Sequence, residues 1–201
     1  SRKNSTDLLM VGAGRMGRNL IPAHMSVRPI KTVRVWDRND QATVVLVEEL
    51  KNEGINAIAC SNSMLEEAVR LSDIVSCATM SEKPLVLGEW LKPGSHLDLV
   101  GSFTPNMRET NNAALQQSSV FVDTRAGALS ETGELIIPIC EGAFSENDIV
   151  AEFSELCGGI HLGREELEKP QEAITLFKSV GDSREDLAAA ILAYETLRDS
   201  Q

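Results

Sequence analysis

At 201 residues, 42% hydrophobic and 24% charged, the chain has enough apolar material for a packed core and too balanced a composition for disorder. Its net charge of −11 argues against nucleic acid as a partner, because phosphate neutralisation needs a basic face. No stretch approaches the ~18–20 apolar residues that span a bilayer, so no membrane association is expected.

The polar opening SRKNST predicts no signal peptide and points to a cytoplasmic protein. Cys60, Cys77, Cys140 and Cys157 are far apart without metal-type spacing, and read as reduced core thiols with no metal site. The charge is uneven. Residues 1–38 carry eight Lys/Arg against two Asp/Glu, the remainder eleven against twenty-eight, so the net −11 splits into +6 and −17. A basic end is either plain surface solvation or a face toward an anionic ligand.

The first predicted element is a continuous apolar strand, DLLMVG (7–12), of the kind buried on both faces of a parallel sheet. GAGRMG follows and places Gly12, Gly14 and Gly17 in a G-x-G-x-x-G pattern. Gly12 permits a tight turn, Gly14 lets a pyrophosphate approach the backbone, and Gly17 lets the next helix pack on the strand. That helix, expected from Arg15 to Ser26, aims its free N–H groups at the phosphates, and Pro22 should kink it or force a local repair. TVRVWD (32–37) is the second strand and ends in Asp37, placed to accept hydrogen bonds from an adenosine ribose; the plainer role is a cap for the next helix. Arg38 can fork onto a 2′-phosphate that Asp37 would repel, so the cofactor is NAD or NADP, with Arg38 and Arg15 leaning toward NADP. Asn39 serves either cofactor or starts a turn.

The alternation continues with a helix over 41–54 stopped by Gly54, a strand over 56–60, a serine-opened helix over 63–72 and a strand over 73–79. The order 3-2-1-4 opens the end of this fourth strand onto the cofactor crevice and makes Ala78 and Thr79 its neighbours. A short helix is expected over 85–91, and a fifth strand over 95–102 brings Val100 and Gly101 to the other side of the crevice. A sixth strand spans 120–123, and a turn-rich stretch follows Asp123. One amphipathic helix over 145–159, a strand over 174–180 and a long helix over 183–199 complete the pattern. The fold class is α/β, a doubly wound, mostly parallel Rossmann sheet with helices on both faces. Without a linker, residues 1–201 form one dinucleotide-binding domain, with 172–201 a strand–helix return.

Three stretches in order, DIVSCATMSEKPLVLGEWLKPGSHLDLVGSFTPNMRE (73–109), VFVDTRAGALSETGEL (120–135) and TLFKSVGDSREDLAAA (175–190), resemble the ornithine cyclodeaminase/mu-crystallin family. The resemblance implies that the chain is roughly the C-terminal two-thirds of a longer polypeptide. The family's N-terminal domain forms the dimer interface and carries most substrate-binding Lys and Arg. It also implies cofactor contacts at Gly12, Ala13, Gly14, Arg15, Met16, Gly17, Asp37, Arg38, Asn39, Ala78, Thr79, Met80, Val100 and Ser179. The cyclodeaminases place a catalytic aspartate inside the motif written here GSFTP, where this chain has Phe103, a residue that moves no proton. This favours NAD(P)H-dependent reduction of a small cyclic imino acid such as pyrroline-2-carboxylate. The alternatives are ornithine cyclodeamination or non-catalytic ligand binding with NADP. The expected partners are an imino or amino acid and a second copy of the polypeptide; this chain alone is expected to bind cofactor without turning over substrate.

No catalytic residue is assigned. His24, His96 and His161 show no triad or metal spacing and read as structural or surface groups. Lys178 either steers a carboxylate near the crevice or is solvated at a strand end. Arg108 and Glu109 read as a helix-start pair or surface contact, Arg125 stays unassigned, and REELEK (164–169) reads as a solvated face.

Overall fold

A computed structural model describes residues 1–199. Residues 200 and 201, the end of the expected 172–201 return, lie outside the described residues. The first βαβ unit is β1 (Asp7–Val11), α1 (Arg15–Val27) and β2 (Thr32–Trp36). Next come α2 (Asp40–Asn52), β3 (Ala57–Cys60), α3 (Leu65–Leu71), β4 (Ile74–Cys77), β5 (His96–Leu99), α4 (Asn112–Gln116) and β6 (Ser118–Val122). The last third holds α5 (Arg125–Glu131), α6 (Gly133–Cys140), β7 (Ile149–Glu152), α7 (Phe153–Cys157), β8 (Ile174–Lys178) and α8 (Ser183–Asp199).

The eight strands of the described residues form one parallel sheet in the order β3-β2-β1-β4-β5-β8-β6-β7. The apolar run of β1 divides by strand parity. Leu9 and Val11 join a cluster with Val75, Leu97, Leu99 and Val120 on one face, and Leu8 and Met10 join Ile21, Val33, Val35 and Leu46 on the other. Burial on both faces is what makes such strands continuously hydrophobic. α1 runs uninterrupted through Pro22. Gly54, at φ +81°, follows the end of α2 in the left-handed conformation expected of a helix stop.

The structure corrects several expectations. The strand expected over 120–123 is present as β6 but begins at Ser118, and β8 lies between β5 and β6 and satisfies both ladders. The single helix expected over 145–159 is a 3-10 turn (Glu146–Asp148), the edge strand β7 and the short α7. Its start is set by a capping box in which Ser145 and Asp148 satisfy each other's backbone, after which Ile149 and Ala151 turn inward at strand spacing. The stretch after Asp123 forms α5 and α6 rather than turns, capped by the hydroxyls of Thr124 and Thr132. Only a 3-10 turn, Gly88–Trp90, replaces the helix over 85–91, since Val86 bridges to Thr110. α3 starts at Leu65, after a 3-10 turn that contains Ser63. Cys60 and Cys77 are buried, but Cys140 and Cys157 are exposed at helix ends and are not core thiols. Arg164 leaves its acidic run to donate to the carbonyls of Ser95, Pro170 and Ala173, so that run is not wholly a solvated face. No helix among the described residues is long and apolar enough to cross a membrane.

Candidate functional site

Parallel strands open a crevice at their carboxyl ends where the strand order reverses. Here β1 neighbours both β2 and β4, and a crevice of about 360 Å³ lies at that point. It is lined by Gly12, Ala13, Gly14, Asp37, Arg38, Asn39, Ala78, Thr79 and Met80, together with Trp36, Ala42, Ser81 and Leu85. The turn is fastened to its neighbours: Gly12 N–H donates to the Trp36 carbonyl at 2.7 Å, and Ala78 N–H donates to the Val11 carbonyl at 2.9 Å.

The three glycines face different constraints. Gly12 has φ +113°, and a Cβ on it would lie 2.7 Å from the Ala78 oxygen. A Cβ on Gly17 would lie 2.1 Å from the Gly12 oxygen, so only glycine lets α1 sit this close to the turn. A Cβ on Gly14 would meet nothing within 4 Å. That open space adjoins the start of α1, which has no side-chain cap and no acid in its first turn. Such a terminus presents unpaired N–H groups and the positive end of the helix dipole, so it suits an anion.

Asp37 Oδ2 accepts from Ala13 N–H at 2.8 Å, and Oδ1 accepts from Asn39 N–H at 2.8 Å. The carboxylate thus tethers the glycine turn to the end of β2; α2 is capped instead by Asn39, whose Oδ1 accepts from Gln41 N–H at 3.1 Å. A carboxylate has about four acceptor positions, which leaves capacity for ligand hydroxyls. Trp36 is 5% exposed and its indole N–H has no hydrogen-bond partner among the described residues, a buried donor available at the crevice wall.

The remaining expected cofactor residues are outside this lining. Arg15 and Met16 are exposed on α1, and Gly17 is buried beneath the turn. Val100 and Gly101 lie past the end of β5, and Gly101 N–H donates to Glu109. The Ser179 hydroxyl donates to Asp123 at 3.2 Å, tying β8 to the end of β6. Phe103 is 51% exposed.

Glu109 and Lys178 depart from their expected settings. Glu109 is fully buried, not at the surface or a helix start, and accepts from Thr79 N–H at 2.7 Å, the Thr79 hydroxyl at 2.8 Å and Gly101 N–H at 3.0 Å. Arg108 is also buried, donating to the Thr110 carbonyl at 2.9 Å and to Asn112 at 2.8 Å. Lys178 is fully buried rather than solvated, and donates to the carbonyls of Leu99 at 3.0 Å and Ser179 at 2.6 Å. Glu134, buried on α6, accepts from the N–H groups of Glu109 and Thr110 and from the Thr110 hydroxyl. Burial, reinforced by the Glu134 charge, pushes the Glu109 carboxyl up to about 7. Burial also raises Glu134 and Cys77 and lowers Lys178.

The histidines lie away from the crevice lining. His24 contacts Asp98 at 3.0 Å, and Asp98 also accepts from Ser76 at 2.8 Å. His96 is paired with Thr175 at 2.8 Å and is held neutral by burial; His161 accepts from Gly163 N–H and packs edge-on against Phe121. Arg125 donates to Glu152 and the Ile149 carbonyl, joining the start of α5 to β7. Among the described residues no group of three or more His, Cys, Asp or Glu is arranged to hold a metal ion.

A doubly wound parallel sheet with this turn and crevice places the protein in the Rossmann class of α/β folds. The chain belongs to the ornithine cyclodeaminase/mu-crystallin family, whose model matches residues 1–201. It is 41% identical over 199 residues to Protein SAR DEFICIENT 4 of Arabidopsis thaliana, covering 98% of this chain and 60% of that protein. It is 38% identical over 191 residues to the Delta(1)-pyrroline-2-carboxylate reductase of Paracoccus denitrificans, covering 94% of this chain and 58% of that protein. The Thermococcus litoralis Delta(1)-pyrroline-2-carboxylate reductase, solved with NADH and L-proline, superposes with a TM-score of 0.92 at 36% identity. That match covers 100% of this chain and 60% of that one. The chain therefore spans about 60% of the length of these relatives.

Proposed function

We propose that the chain is the nucleotide-binding part of a cytoplasmic, homodimeric NAD(P)H-dependent reductase of small cyclic imino acids, with pyrroline-2-carboxylate as the model substrate. Residues 1–201 act as one cofactor-binding domain. The single observation that carries this reading is the open space at Gly14 beside the uncapped start of α1, within a crevice flanked by Asp37. The Gly12–Gly17 turn binds the pyrophosphate, Asp37 accepts the ribose hydroxyls, and Ala78, Thr79 and Met80 border the nicotinamide half. A reduced nicotinamide, when bound, supplies the hydride. Phe103, standing where the cyclodeaminases carry their aspartate, supports reduction over deamination because it can neither take a proton nor polarise water.

The test is incubation of the intact polypeptide with pyrroline-2-carboxylate and NADH or NADPH, followed by nicotinamide absorbance and proline formation. Release of ammonia from ornithine with no imine turnover would overturn the assignment. Cofactor choice has its own test. Arg38 borders the crevice and is exposed, so it can reach a 2′-phosphate without being dehydrated. NADH and NADPH are both expected to bind, NADPH more tightly. Arg38→Ala should weaken NADPH by roughly tenfold, the worth of one charged hydrogen bond, and leave NADH within about twofold. A preference of the unaltered protein for NADH above about a hundredfold, measured by calorimetry, would reverse this ranking.

A further inference from the structure

Beneath the crevice, one buried side chain joins two loops that the proposed function needs but does not itself hold together. β4 ends at Cys77 and β5 at Leu99, and the chain leaving them passes Thr79 and Gly101. The Glu109 carboxylate lies between these loops, with Oε1 on the Thr79 N–H and hydroxyl and Oε2 on the Gly101 N–H. The Glu109 carbonyl accepts from Leu85 N–H at 2.8 Å and Val86 N–H at 3.0 Å, and its own N–H donates to Glu134 at 2.6 Å. The carboxylate is thereby fixed from below while it holds Thr79 at the crevice wall. The spacing has no slack, because a Cβ on Gly101 would lie 2.0 Å from the Thr79 oxygen.

We propose that Glu109 is a positioning residue of the dinucleotide crevice, its carboxylate setting the separation of the loops after β4 and β5 that receive the nicotinamide half of the cofactor. This rests on reading the crevice as a dinucleotide site. All three of its partners are donors, so the carboxylate can accept from each at once. Protonation at the open position of Oε2 removes the charge, and the three bonds weaken from charge-assisted to neutral ones. The charged groups around it are Glu134 on α6 and Lys178 on β8; Cys77 on β4 is its titratable neighbour, and Asp98 and Asp123 act on Lys178. Burial and Glu134 raise Glu109 to about 7, while the Thr79 bonds and Lys178 oppose the rise, so the clamp loosens as pH falls through neutrality.

NADH affinity of the wild-type chain and of Glu109→Gln, titrated calorimetrically from about pH 5.5 to 8.5 with circular dichroism as the check of folding, tests this. Wild-type affinity should fall roughly tenfold from about pH 8 to 6, as expected when charge-assisted hydrogen bonds become neutral ones. Glu109→Gln should be weaker by about tenfold at pH 8 and flat across the range, and Glu109→Asp, which restores the charge, should recover the slope. A purely structural role would lower Tm and leave the slope in place. Wild-type affinity in Glu109→Gln at pH 8, or an unchanged pH profile, overturns the proposal. Wild-type protein that binds no NADH at any pH overturns the dinucleotide reading itself. Should Glu109→Gln not fold, Thr79→Val decides: removing the hydroxyl bond moves the wild-type midpoint upward, and an unmoved midpoint overturns the proposal.

Discussion

Gly14→Ala is expected to weaken NADH binding by about 2–3 kcal/mol, roughly 30- to 150-fold in Kd, with little change in Tm. The added methyl meets no protein atom within 4 Å, so the fold has nothing to rearrange. It would instead occupy the space that a diphosphate needs against the start of α1. Gly17→Ala should behave in the opposite way. Its Cβ would stand 2.1 Å from the Gly12 oxygen, a backbone atom that cannot rotate aside. Either the turn or α1 must move, and Ile21, fully buried on that helix, moves with it. A loss of about 3 kcal/mol is expected, which for a chain of this size lowers Tm by about 6–12 °C. Thermal melts and calorimetric titrations of the two variants separate the effects. Unaltered NADH affinity in a folded Gly14→Ala would place the diphosphate elsewhere.

The same physics explains which parts of the fold were legible in the sequence. β1 and β4 are interior parallel strands buried at nearly every position, so their burial on both faces appears directly as mostly apolar runs, while β2 shows as alternation of Val33 and Val35 with Thr32 and Arg34. The glycine turn was legible because each glycine answers a local backbone demand. β7 was hidden because it is a four-residue edge strand whose flanking apolar positions, read together, imitate helical spacing. The insertion of β8 between β5 and β6 depends on a distant segment returning to the sheet, which no local pattern records. Trp36 and Leu85 reach the crevice through the same three-dimensional arrangement. Thr124 and Thr132 did carry local signals, as helix caps, within a stretch whose composition otherwise resembles turns. Glu109 and Lys178 carried none. Charged residues are almost never fully buried unless paired, so their sequence positions favour exposure until their partners are known.

Lys178→Met should cost about 3–5 kcal/mol near pH 8, since removing one member of a buried charged cluster leaves the others uncompensated. Methionine keeps the length of the side chain but donates nothing to the carbonyls of Leu99 and Ser179. Glu109, Glu134, Asp123 and Asp98 also lose a cation they now feel, which no apolar packing replaces. The loss should grow as pH rises through neutrality. Glu109 has a folded pKa of about 7, above its ordinary 4.5, so its favourable contribution is complete below 4.5 and is lost as pH rises through 7. Lys178 pulls that value down, and without it the loss continues to higher pH. Urea unfolding at about pH 5.5 and 8 therefore should give a larger deficit at the higher pH. A deficit below about 1 kcal/mol, or one equal at both values, would mean that Lys178 does not compensate the buried acids.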